Sequence, residues 1–170
     1  YAIGMKKEDA ENYGIENISD LRMHPNLKFG FTNEFMDRND GWRGLQKFYN
    51  LPQTNVNGLD HDLAYRGLVS SSIDVIDLYS TDAEINYYNL KVLKDDLHYF
   101  TDYQAVLLYR KDLEKTFPKV VDSINKLKNS IPESLMIKMN SDVKLNGESE
   151  EVVAAQFIKN KFSIESSFVE

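Results

Sequence analysis

The sequence predicts a mixed α/β fold, and three observations carry that prediction. Over roughly the first 100 residues, short runs rich in β-branched and aromatic residues alternate with stretches of helical apolar spacing. From residue 112 on the pattern turns wholly helical, with turn signals at Asn129-Ser130 and Asn146-Gly147 between the stretches. At 42% hydrophobic and 12% aromatic, the 170-residue chain has enough apolar side chains to build a core and too many for disorder.

Residues 1–6 read as a strand, and 8–13 as a short helix closed by Gly14. Ile18-Ser19-Asp20-Leu21 offers Ser19 as an N-cap behind a hydrophobic residue, so a second short helix opens there and ends at Pro25. A strand follows over 27–31. Residues 41–49 carry Trp42, Leu45, Phe48 and Tyr49 at helical spacing, and Pro52 ends that helix. A weak strand is expected over 55–59 and a helix over 61–69 with Leu63, Leu68 and Val69 turned inward. Residues 73–79 alternate Ile73, Val75 and, after Ile76, Leu78 with Asp74 and Asp77, which suits a strand. Thr81 and Glu84 stand in capping-box register ahead of the next helix. Strands are expected over 90–93 and 103–109, then helices over 112–128, 132–139 and 150–162. In these helices Val120, Val121, Ile124 and Leu127 form one apolar stripe and Val152, Val153, Phe157 and Ile158 another.

Composition removes several functions. With 20 Lys+Arg against 27 Asp+Glu, the net charge of −7 opposes binding to phosphate backbones, so no nucleic-acid partner is expected. The absence of Cys excludes disulfides, thiolate metal sites, iron–sulfur clusters and Cys nucleophiles, but fixes no compartment. The sequence contains no apolar run long enough to cross a bilayer and no signal peptide, and it begins with Tyr, so it reads as a piece of something longer.

Three constellations could carry chemistry. Asp60-His61-Asp62, with Asp74 and Asp77 further on, contains the residue types of a metal-dependent hydrolase. Against this, the three His at 24, 61 and 98 form no HExxH pair, and Asp60 also suits an N-cap and Asp62 a first-turn acid. Nucleophile-elbow, P-loop and dinucleotide motifs do not occur, so neither a catalytic residue nor a cofactor is called for. The third feature is an excess of tyrosine, 10 in all, with Tyr1, Tyr79 and Tyr103 at strand ends or loop starts. Most tyrosines are partly buried core residues. Several facing one hollow would instead form a cage for a quaternary ammonium.

Four segments in one collinear order carry a family resemblance: Asn33-Glu34-Phe35-Met36-Asp37-Arg38-Asn39-Asp40-Gly41-Trp42, Gly58-Leu59-Asp60-His61-Asp62-Leu63-Ala64-Tyr65-Arg66, Asp77-Leu78-Tyr79-Ser80-Thr81-Asp82-Ala83-Glu84-Ile85 and Leu93-Lys94-Asp95-Asp96. Together they resemble the substrate-binding proteins of bacterial ABC importers for glycine betaine, carnitine and choline. The likeness runs through Val152-Val153-Ala154-Ala155-Gln156-Phe157.

The resemblance implies a periplasmic-binding-protein-like (type II) two-lobed clamp. Residues 1–102 would form the second α/β lobe, and 103–170 a mainly helical return into the first, whose front part of about 100 residues would precede Tyr1. It implies a non-enzymatic solute receptor on the extracytoplasmic face of a bacterial membrane, soluble, lipid-anchored or fused to its permease. Such a receptor works with permease and ATPase subunits. Its ligand would be a betaine-type compound such as glycine betaine, carnitine, choline, proline betaine or ergothioneine. By the same resemblance Tyr1, Tyr79 and Tyr103 box the trimethylammonium head, and Arg38 meets a ligand carboxylate. Where family members carry Pro before the third tyrosine, this chain has Thr101-Asp102. A chain lacking the front of one lobe is expected to bind weakly by itself and to expose apolar surface that favours self-association.

Overall fold

A computed structural model describes residues 1–164; the last six residues of the 103–170 segment lie outside the described residues. The chain divides into two compact units, Tyr1–Thr101 and Asp102–Glu170.

The first unit is built on a five-stranded sheet. Its strands are β1 (Ala2–Lys6), β2 (Phe29–Thr32), β3 (Val56–Leu59), β4 (Val75–Leu78) and β5 (Leu90–Val92), in the spatial order β3-β2-β4-β1-β5. β2 runs parallel to both β3 and β4, whereas β1 runs antiparallel to β4 and β5. The parallel pairs need crossovers, and the helices supply them. α1 (Lys7–Tyr13) and a 3₁₀ turn at Ile18–Met23 follow β1; between β2, β3 and β4 the crossover helices are α2 (Asn33–Asp37), α3 (Trp42–Tyr49) and α4 (His61–Val69); α5 (Glu84–Tyr87) precedes β5.

Side chains leave a strand on alternate faces, so the sheet carries a core on each side. Ile3, Met5, Phe29, Phe31 and Val75 join Leu21, Phe35, Trp42, Leu45 and Tyr49 on one face. Ile76 and Leu78 join Ala64, Tyr65, Leu68 and Ile73 on the other. All four residues of β4 are buried, Asp77 among them. Asp77 is 1% exposed and accepts from the Thr32 backbone N–H at 2.6 Å and its hydroxyl at 2.7 Å. The expected strand is present, and as the central strand of the sheet it is covered on both faces.

The local signals hold elsewhere. Gly14 closes α1 in the left-handed region at φ 67°. Gly41 occupies the N-cap of α3, where a Cβ would overlap the Phe35 carbonyl. Several details differ from expectation. Asn17, not Ser19, caps the 3₁₀ turn, in a reciprocal box with Asp20, and the Ser19 hydroxyl donates instead to Asp96 at 2.6 Å. Five-residue α2, capped by Thr32, was not foreseen. Within α3 Phe48 is exposed. α4 buries Ala64, Tyr65 and Leu68, leaving Leu63 and Val69 half exposed, so its inward face is rotated from the expected one. Ala83, not Thr81, is the N-cap of α5, and no side chain caps it.

Asp95 fixes the exit from this unit. Its carboxylate accepts from the Tyr49 hydroxyl at 2.5 Å and from the backbone N–H groups of Tyr99 (2.9 Å) and Phe100 (2.7 Å). Tyr99 and Phe100 are thereby held against the first core.

The second unit holds α6 (Leu113–Thr116), α7 (Pro118–Asn125), α8 (Glu133–Lys144) and α9 (Glu150–Phe162). The helix expected over 112–128 is two pieces, because Pro118 cannot continue a helix but fits the first position of the next. In the stripes, Val121 and Val153 are buried and Val120 is not. Ser149 caps α9, accepting from Val152 N–H at 3.3 Å. The strand expected over 103–109 is absent among the described residues: the segment has no regular structure, and Val106 and Leu108 are largely exposed. High β propensity makes no strand without a neighbour to take its backbone hydrogen bonds.

Candidate functional site

Register creates the site. In the antiparallel β1/β4 pair Ala2 faces Leu78, so Tyr1, just before the one, meets Tyr79, just after the other. Their ring centroids are 4.9 Å apart, and the Tyr79 hydroxyl donates to that of Tyr1 at 3.3 Å. Parallel strands β2 and β3 end at the same edge, with α2 and α4 beginning there. In open α/β sheets this edge is the usual ligand crevice. A cleft of about 380 Å³ lies here, lined by Thr32, Asn33, Glu34, Leu59, Asp60, His61 and Tyr79.

The rings form a continuous row. Phe35 lies 5.3 Å from Tyr1 on one side, and His61 lies 5.6 Å from Tyr79 on the other. His61 is in turn 5.2 Å from Tyr65, edge to face. Burial, followed by hydrogen bonds with Tyr79 and Glu34, pushes the Tyr1 phenol above its ordinary pKa, so it stays neutral. Glu34 and Asp60 on the lining bring negative charge to this aromatic wall. π faces beside carboxylates suit a cation that offers no hydrogen-bond donors.

Arg38 stands at the same place, its guanidinium carbon 5.4 Å from the Tyr1 ring centroid. Its Nε and Nη2 donate to the two oxygens of Asp40, each at 2.8 Å, and Glu34 lies 3.9 Å from Nη1. The fork expected for a ligand carboxylate is thus already engaged by an internal one. Tyr103 belongs to the second unit, where it is half exposed in the irregular stretch.

The hydrolase set does not assemble. His61 Nε2 pairs with Asp82 Oδ2 at 3.2 Å. Asp74 accepts from Lys28 N–H at 2.7 Å and precedes β4, so the length of that strand separates it from His61 at the far end. Asp60 holds the N-cap position of α4 without a side-chain cap bond. Among the described residues, no group of three or more His, Asp or Glu could hold a metal ion.

Residues 1–160 match the OpuAC family, the substrate binding domain of ABC-type glycine betaine transport systems. This chain belongs to the OpuAC family. Two curated relatives and one solved structure illustrate the kinship. The chain is 36% identical over 160 residues to the ergothioneine transport permease/ergothioneine binding protein EgtU of Helicobacter pylori, covering 94% of this chain and 29% of the relative. It is 33% identical over 165 residues to the carnitine transport binding protein OpuCC of Listeria monocytogenes, covering 95% and 54%. A crystal structure of a glycine betaine/carnitine/choline ABC transporter superposes with a TM-score of 0.82 at 36% identity, covering 94% of this chain and 59% of that one. The chain spans about half, or less, of the length of the curated relatives it matches. The expected periplasmic-binding-protein-like architecture is the one found, and no observation favours the hydrolase reading.

In this OpuAC-family chain, reading the sequence missed Phe35 and Asp82 as neighbours of the site and His61 as one of its walls. Phe35 looks like any core aromatic. For Asp82 a signal existed, since an Asp three residues after a loop-starting Tyr can accept from that residue's N–H, as it does at 2.9 Å.

Proposed function

We propose that this chain is the ligand-gripping part of an ABC importer's solute receptor and takes a quaternary-ammonium compound in the cleft beside Tyr1 and Tyr79. The pairing of those two phenols across the β1/β4 register, beside Glu34 and Asp60, supports the reading above all else. A trimethylammonium head cannot accept or donate a hydrogen bond. It can be held only by surrounding it with π faces and nearby negative charge, each face contributing roughly 0.5–2 kcal/mol. Tyr103 is retained as a ligand residue on the family resemblance alone, and Arg38, shared with Asp40, meets a ligand carboxylate by a charge-assisted bond.

In this reading residues 1–102 are one lobe and 103–170 return into the other. Closure on the ligand presents a surface that a membrane permease recognises, with an ATPase driving transport. The receptor works outside the cytoplasm, performs no chemistry and needs no cofactor. Among the described residues no helix is long and apolar enough to cross a membrane.

Titrating the full-length protein calorimetrically with glycine betaine, carnitine, choline and ergothioneine tests the proposal. At least one should bind with Kd on the order of 1 µM, equivalent to about −8 kcal/mol. Failure of all four to bind at millimolar concentration would reject it.

A further inference from the structure

Behind the cleft, one carboxylate oxygen gathers three donors. Asp82 Oδ2 accepts from the Tyr65 hydroxyl at 2.7 Å, from the Tyr79 backbone N–H at 2.9 Å and from His61 Nε2 at 3.2 Å. The Asp82 N–H returns to the Tyr79 carbonyl at 3.0 Å, closing the turn. Its side chain is only 15% exposed. Burial alone would raise its pKa, but bonds from His61, the Tyr79 N–H and Tyr65 outweigh that and hold it below the ordinary carboxylate range.

These donors come from two walls of the cleft. Tyr79 leaves the end of β4, whereas His61 and Tyr65 lie one helical turn apart on α4. We propose that Asp82 is a positioning residue. Its carboxylate ties the start of α4 to the exit of β4 and so sets the Tyr79 and His61 rings at the spacing a cationic head requires. The role at the ligand rests on the quaternary-ammonium reading of the cleft, but the placement of the rings does not.

The physical need is angular. Cation–π attraction requires the cation over the ring face within about 6 Å of its centroid. Tyr79 is loop-borne and 40% exposed, so a backbone anchor at its own N–H adds to the hold that its ring contacts with Tyr1 and His61 supply. His61 opens α4, where one ring bond to Asp82 orients it between Tyr79 and Tyr65.

The test compares wild type, D82A and D82N in the full-length protein, with two readouts. One is Kd for glycine betaine and tetramethylammonium by calorimetry. The other is the chemical shift of the His61 ring protons in ligand-free protein at a fixed pH, which reports ring currents from Tyr79 and Tyr65. D82A should raise Kd about tenfold and move the His61 signals towards those of an unpacked histidine. D82N keeps one acceptor oxygen and should recover most of both, to within about threefold in Kd. If D82A does not fold, D82N alone should show the smaller change in each readout. His61 signals that stay in place in D82A, or a D82A Kd within twofold of wild type, would overturn the proposal; if D82A does not fold, His61 signals unmoved in D82N would overturn it. If wild type binds neither probe, the cation reading fails by itself, and the His61 signals still decide whether Asp82 places the rings.

Discussion

Replacing Tyr79 with Ala is expected to weaken binding of a quaternary-ammonium ligand by about 100-fold, with little change in stability. Two losses combine. The substitution removes the π face that stands between Tyr1 and His61, and the 3.3 Å bond that orients the Tyr1 phenol. A desolvated cation–π contact is worth about 2 kcal/mol, and each 1.4 kcal/mol is tenfold in Kd, so one face plus the disordering of its neighbour reaches that range. Tyr79→Phe keeps the face and loses only the hydroxyl bond, and should cost a few-fold. Because Tyr79 is 40% exposed, neither change should shift the thermal midpoint appreciably. Calorimetric titration of both variants checks this, and Tyr79→Ala binding within twofold of wild type would remove Tyr79 from the site.

The largest effect on stability is expected from Phe31→Ala. Phe31 is fully buried and sits among Phe29 (5.4 Å), Phe35 (5.2 Å) and Trp42 (5.2 Å). Truncation leaves a cavity that a rigid sheet and α3 cannot close, which costs about 3–5 kcal/mol. Whole domains are stable by only about 5–15 kcal/mol, so much of the first unit's margin would go. The matched control is Phe48→Ala on α3, an exposed ring, whose loss should cost less than about 1 kcal/mol. Urea unfolding of the two variants compares them directly. Equal midpoints would mean that the aromatic cluster does not hold this unit together. Phe31 also bears on function, because Phe35 touches both Phe31 and Tyr1, so a loosened core reaches the cleft through one ring.

Features set by local chemistry were readable from the sequence, and features set by partners were not. Gly14 after a short amphipathic stretch and Ser149 ahead of Glu150–Phe162 both mark real helix ends, because caps act within a few residues. The alternation of acids with apolar residues over 73–79 marks β4 as a strand but says nothing of its place in the sheet. Only the position between β2 and β1 shows that Asp77 is buried and satisfied by Thr32. The stretch 103–109 has a strand's composition and no strand's structure, since pairing is decided by a neighbour rather than by the segment. Leu63 and Val69 fit an inward stripe on paper, yet α4 is clocked by Tyr65, whose hydroxyl must reach Asp82.

The same division runs through the site. Family resemblance singled out Tyr1, Arg38, Tyr79 and Tyr103, but it could not show that Tyr1 and Tyr79 touch. That follows from the β1/β4 register, 78 residues apart in sequence. His61 was weighed as a metal ligand because His and Asp adjoin in the sequence. In space its partner is Asp82, and its ring extends an aromatic row. Arg38 stands beside the Tyr1 ring with its fork occupied by Asp40 two residues on, a local pairing that composition does not announce.

At the centre of this account is positive charge on a methylated nitrogen held by phenol faces. The most direct measurement sets glycine betaine against its carbon isostere, 3,3-dimethylbutanoate, which has the same shape and carboxylate but no cationic centre. Titrated into the full-length protein under identical conditions, glycine betaine should bind at least ten times more tightly, a difference of about 1.4 kcal/mol or more. Equal affinities would show that the cleft recognises bulk rather than charge, and would contradict the assignment of Tyr1 and Tyr79 as its cation-binding walls.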